Sequence, residues 1–174
     1  VWGVLHGGGT DTVRGRARLY SWLEIDVGGR RRTLDGIHAE LARWAAVDPR
    51  IHLALASGAR SAPALSREPY VADRLDEQLE RATSSFVNDP ERNRTKSPRP
   101  ALSPVFSWYR ADFSRETGSI AAWVAKHLDE SDDADVLTAP DAVPAFLEFD
   151  WRLNAAAGED LSTKPPAAKS AARR

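Results

Sequence analysis

The chain has 174 residues, 42% of them hydrophobic and 28% charged, with a formal net charge of −1, so one folded domain with a real core is expected and no overall attraction to nucleic acid or an anionic membrane. It has no cysteine, which excludes disulfides, zinc–thiolate sites, iron–sulfur clusters and thiolate nucleophiles. No apolar run approaches the roughly 20 residues that span a bilayer as a helix, so a soluble protein is expected, its compartment open.

Val1, Trp2, Val4 and Leu5 are already apolar. The sequence therefore reads as beginning inside a buried element, a fragment whose missing front end would also have carried any signal peptide. His6, Gly7, Gly8 and Gly9 end that element. Over residues 19–27, Leu19, Ser21, Leu23, Ile25 and Val27 alternate with more polar neighbours, a strand pattern closed by the hairpin signal Gly28-Gly29 and a short return strand over 30–32. Thr33 caps a helix with Leu34, Ile37, Leu41 and Trp44 on one face, stopped before Asp48-Pro49. In residues 51–56, Ile51, Leu53 and Leu55 share one side of a predicted strand; His52, Ala54 and Ala56 share the other.

Pro69 is placed to open a long helix through Val71, Leu75, Leu79, Ala82 and Phe86, ended by Asn88-Asp89-Pro90. Residues 91–100, with Arg92, Arg94, Lys96 and Arg99, read as a solvated loop. Ser103-Pro104 is a cap and first-turn proline leading into core aromatics, and Ser119 caps a helix burying Ile120, Trp123, Val124 and Leu128. The acidic run from Asp129 to Asp135 reads as an exposed connection without EF-hand spacing. Residues 143–154 alternate as a last strand with Asp150 and Asn154 on its polar face, and residues 157–174 read as a disordered basic tail. The fold expected is α+β, a small, mostly antiparallel or mixed sheet covered by four or more helices, in a single domain over 1–156.

Three blocks together resemble the domain of unknown function 547 family: Thr33 to His38 leading into Asp48 to Leu55; Tyr70 to Leu75 and Gln78-Leu79, continued by Leu102 to Tyr109 and Asp112-Phe113; and Phe149 to Asn154. The resemblance covers roughly residues 1–156. It implies a fold more than an activity, and an upstream helix with an Asn-x-x-Asn arrangement of which Val1 to Leu5 would be the end. It also implies a cysteine five residues after the histidine and a second directly before the proline. Those positions are Ser57 and Ala62 here, and the family's acidic residue after the helix isoleucine is His38.

Two functional readings follow. In one, His52, Ser57 and Asp150 form a hydrolase-like set, with backbone N–H groups around Gly58 to Arg60 binding an anion, as a serine-based or degenerate form of a thiol enzyme. Five extended residues span about 16 Å at roughly 3.3 Å each, so Ser57 reaches His52 only if the loop folds back. In the other, preferred here, the domain is a binding or scaffolding module for a peptide or small polar ligand, with Arg50, Ser61, Trp151 and Asn154 as binding candidates. His52 is then a partly buried, satisfied histidine, Ser57 and Ser61 bond loop backbone, and Asp150 anchors an arginine. Whether the chain is an enzyme stays open; a papain- or transglutaminase-like arrangement is an analogy of element order alone. His6, His38 and His127 lack metal-ligand spacing, so no metal and no cofactor is assigned.

Overall fold

The computed structural model describes residues 12–13, 17–96, 99–139 and 142–154. The readings made for residues 1–11 and for the tail beyond 154 lie outside them. In chain order the elements are α1 (Ala17–Trp22), β1 (Glu24–Val27), β2 (Arg30–Thr33), α2 (Leu34–Ala45), α3 (Arg50–Ala54), a 3₁₀ turn (Ala72–Arg74), α4 (Leu75–Val87), β3 (Ala101–Leu102), α5 (Pro104–Trp108), α6 (Arg110–Thr117), α7 (Ile120–Ala125), α8 (Ser131–Thr138) and β4 (Ala145–Phe146). The fold is α+β, as expected. Its strands form two small pieces, an antiparallel β1–β2 hairpin and a parallel β3–β4 pair. Among the described residues no helix is long and apolar enough to cross a membrane.

The main core is helical. Leu53 of α3, Phe86 and Val87 of α4, Phe106 of α5, Phe113 of α6, Trp123 and Val124 of α7 and Leu137 of α8 are buried together with Leu102. Phe106, Phe113 and Trp123 meet edge-on or tilted at centroid separations of 4.7–6.1 Å, the geometry that ring quadrupoles favour.

Three predicted caps form. The Thr33 hydroxyl accepts from Gly36 N–H, that of Ser103 from Val105 N–H and that of Ser119 from Ala122 N–H; each satisfies a backbone donor that a helix start leaves unpaired. The Gly28-Gly29 turn also forms, both glycines at positive φ.

Other elements differ from the sequence reading. Residues 51–56 are not a strand: Asp48 Oδ1 accepts the Arg50 N–H at 3.1 Å, Pro49 sits at the cap with φ −64, and α3 follows. The Asp-Pro pair that was expected only to stop α2 therefore also starts α3. Residues 17–22 are helical, with Tyr20 of α1 anchored through its hydroxyl to the Ser57 carbonyl at 2.8 Å. The buried end of α2 is Ala45, while Trp44 is exposed.

The long helix opens at Leu75 instead of Pro69, because the Gln78 side chain accepts from Val71 N–H and donates to the Pro69 carbonyl, holding 69–71 extended. The 91–100 loop is only partly solvated. Asn93 is buried, donating to the Phe86 carbonyl at 2.8 Å and accepting the Ser103 N–H at 2.9 Å. The acidic run folds into α8 from Ser131 on, with Glu130 at its cap, and the expected last strand is confined to β4 and to isolated bridges at Arg152 and Leu153.

Candidate functional site

The chain leaves α3 extended at Leu55 and turns at Gly58, whose φ of 82 favours glycine. The following loop is tied to the C-terminal segment 150–154. Arg60 N–H donates to the Arg152 carbonyl at 2.9 Å, Ser61 N–H to the Asp150 carbonyl at 3.3 Å, and Asn154 N–H to the Gly58 carbonyl at 2.8 Å. Asp150 N–H in turn donates to Ser61 Oγ at 2.9 Å. On the other side Val13 N–H reaches the Trp151 carbonyl at 2.9 Å, and Thr12 bridges Arg152.

Beneath this patch Val13, Ala59 and Ala62 are buried against Tyr20, Phe149, Trp151 and Leu153. Ala62, where the resemblance implies a cysteine, is thus a packed apolar position. Trp151 lies 4.4 Å from Phe149 and 5.8 Å from Trp108, centroid to centroid, and Asn154 is exposed.

An open cleft of about 470 Å³ lies along this loop, lined by Arg60, Ser61, Glu91, Arg92, Arg94, Leu147, Glu148 and Asp150. Part of its charge is already engaged. The Arg92 guanidinium donates to the carbonyls of Ala62 and Arg60, each at 3.1 Å, and pairs with Asp89. Asp150 pairs with Arg152 at 2.6 Å, and hydrogen bonds from the Arg152 side chain and backbone hold its carboxyl at about 2. Arg60, Arg94, Glu91 and Glu148 are exposed, and among the described residues none of these four makes an ion pair.

His52 occupies a different part of the molecule. Its ring is buried, stacks on Tyr109 at 3.7 Å and lies 5.7 Å from Phe113. Nε2 meets Asp112 Oδ2 at 2.9 Å, whereas Nδ1 is buried without a partner. A carboxylate only accepts, so Nε2 carries the proton of the neutral ring. Burial pushes the imidazole below its ordinary pKa, with Asp112 opposing. Asp112 also receives Arg115 at 3.2 Å, and Arg115 donates to the Ala46 carbonyl just past α2.

The sequence candidates therefore fall into separate networks. His52 bonds Asp112; the Ser57 hydroxyl accepts from Ala59 N–H at 3.5 Å; Asp150 bonds Arg152. Ser61 and Asp150 are brought together through Asp150 backbone. Arg50 is saturated by Asp48 at 2.9 Å, Asp76 at 2.7 Å and Glu80 at 3.1 Å, and its pKa is raised by the hydrogen bonds to Asp48 first of all. No cluster of three His, Asp or Glu side chains suited to a metal occurs among the described residues.

Sequence reasoning missed Asp112 as the partner of His52 and Arg92 as the brace of the loop. Asp112 follows Tyr109 by three positions, one helical turn, so a shared face was readable; a bond to a residue 60 positions earlier was not.

Comparison with known families matches residues 3–87, just under half of the chain, to the family described as "Protein of unknown function, DUF547". The match contains the blocks at 33–38, 48–55 and 70–79 and ends before those at 102–113 and 149–154. No curated protein and no solved structure matches.

Proposed function

On the premise that residues 3–87 carry a DUF547 family segment, we propose that this domain is a binding module whose cleft takes a short polar peptide with charges of both signs. One observation supports the reading. Arg60 and Arg94, and Glu91 and Glu148, face a common cleft with no ion pair among the described residues, while its walls are fixed by the Arg92 brace and the backbone bonds of 58–61 to 150–154. Guanidinium and carboxylate groups form charge-assisted hydrogen bonds stronger than neutral ones, and a preformed wall lowers the ordering cost of binding. A nitrogen-15 NMR titration with the tripeptide Lys-Ala-Glu tests it. Shifts confined to residues 60–61, 91–94 and 147–150, and lost in Arg60→Ala/Arg94→Ala, are expected; shifts elsewhere or none would overturn the reading.

A second reading is hydrolysis by Ser57 assisted by His52. The His52–Asp112 bond holds the imidazole as a general base requires, but Nδ1 is buried and the Ser57 hydroxyl bonds Ala59 N–H in a separate network, so this reading requires the loop to bring Ser57 to the ring. Cleavage of an ester panel that disappears in both Ser57→Ala and His52→Gln would establish it; no cleavage would remove it.

A further inference from the structure

The β1–β2 hairpin divides its charges by register. Glu24 pairs with Thr33, Ile25 with Arg32, Asp26 with Arg31 and Val27 with Arg30, and directly opposed residues share a face. One face therefore carries Glu24, Asp26, Arg31 and Thr33, and the other carries Ile25, Val27, Arg30 and Arg32. The acids are consumed on the first face: Glu24 pairs with Arg31 at 2.8 Å, and Asp26 accepts the Gly29 N–H at 3.0 Å.

The second face keeps two aliphatic side chains and two guanidinium groups. Ile25 is 38% and Val27 48% exposed, and Trp22 at the base of the hairpin is 64% exposed. Arg32 reaches Glu40 at 3.5 Å, and Arg30 has no ion pair among the described residues. The near-zero net charge of the whole chain conceals this local separation.

We propose that this hairpin face docks on an anionic lipid surface, with Ile25 and Val27 entering the headgroup boundary and Arg30, beside the Glu40-paired Arg32, meeting lipid phosphates and carboxylates. Apolar side chains flanked by cations are the composition that binds such surfaces, and tryptophan favours the membrane interface. A second copy stacked face to face would set Arg30 and Arg32 against their own kind. A folded protein partner needs about 800 Å² of accessible surface from each side for a stable interface, more than a face of four side chains on two four-residue strands supplies alone, whereas a bilayer sets no such threshold.

Co-sedimentation of the full chain with phosphatidylcholine vesicles, with and without one third phosphatidylserine, tests the proposal. Binding about tenfold greater to the anionic vesicles and lost at high salt is expected. Arg30→Glu should abolish it, while Arg67→Glu, an equal charge change at an exposed residue outside the hairpin, should leave most of it. Because the chain has no cysteine, Val27→Cys gives a single thiol for an environment-sensitive fluorophore, whose emission should shift to the blue on anionic vesicles. That reading stands even if Arg30→Glu fails to fold. Equal binding to neutral vesicles, no binding, equal loss in Arg67→Glu, an unshifted fluorophore, or equally strong binding to soluble polyglutamate would each overturn the proposal.

Discussion

Replacing Asp112 with alanine removes the acceptor for a buried imidazole N–H. The bond it breaks is 2.9 Å long and the His52 side chain is 1% exposed, while the Asp112 side chain is 18% exposed, so the imidazole N–H loses its only protein acceptor among the described residues and any water that replaces it enters from the Asp112 side. The Nδ1 atom is already buried without a partner, and the variant would leave the second ring nitrogen in the same condition. A buried donor stripped of its acceptor costs about 1–3 kcal/mol. For a chain of this size each kcal/mol lowers Tm by about 2–4 °C, so a drop of several degrees is expected at pH 7. Asp112→Asn keeps a carbonyl acceptor and should lose under about 1 kcal/mol.

The pH dependence follows from the same geometry. Burial lowers the folded-state pKa of His52 below its unfolded value near 6.5. The unfolded chain then binds the proton first, so the contribution is intact above about 6.5 and is lost as pH falls from there toward the lower folded value. Because Asp112 is the group that raises the His52 pKa, Asp112→Asn should move the folded titration lower still and extend the loss further into acid. Urea unfolding of wild type, Asp112→Asn and Asp112→Ala between pH 7.5 and 5 at constant salt, with NMR titration of the His52 ring, measures both effects. Equal stabilities for all three proteins, or a His52 pKa above its ordinary value, would refute the reasoning.

Two further substitutions probe the scaffold around the cleft. Asn93→Ala strands the Phe86 carbonyl and the Ser103 N–H and should cost about 2–4 kcal/mol by calorimetry; a change within about 0.5 kcal/mol, typical of an exposed site, would contradict the buried network. Gly58→Ala meets open space but must keep a φ of 82, so a loss of about 1–2 kcal/mol is expected in denaturant melts, without the larger penalty of a steric clash.

What the sequence revealed was local. Thr33, Ser103 and Ser119 act within three residues of themselves, and Gly28-Gly29 specifies its own turn, so these features were legible. Residues 51–55 were not, because Ile51, Leu53 and Leu55 alternate over a span too short to separate periods of 2 and 3.6. The choice fell to the Asp48 bond to Arg50 N–H and to Leu53 entering the helical core. The cleft was legible only in a small part. Ser61 and Asp150 were named from the sequence, but Arg60, Glu91, Arg94 and Glu148 are surface-type residues that only the return of residues 147–150 beside the loop makes neighbours. The His52–Asp112 bond and the bracing of the Ala62 carbonyl by Arg92 depend in the same way on tertiary folding.

A charge exchange read by calorimetric titration tests the binding account most directly. Arg94→Glu should weaken binding of Lys-Ala-Glu at least about tenfold, equivalent to 1.4 kcal/mol, and should gain affinity for Lys-Ala-Lys relative to wild type. If Arg94→Glu binds both peptides as wild type does, or wild type binds neither, the cleft is not a site for charged peptides.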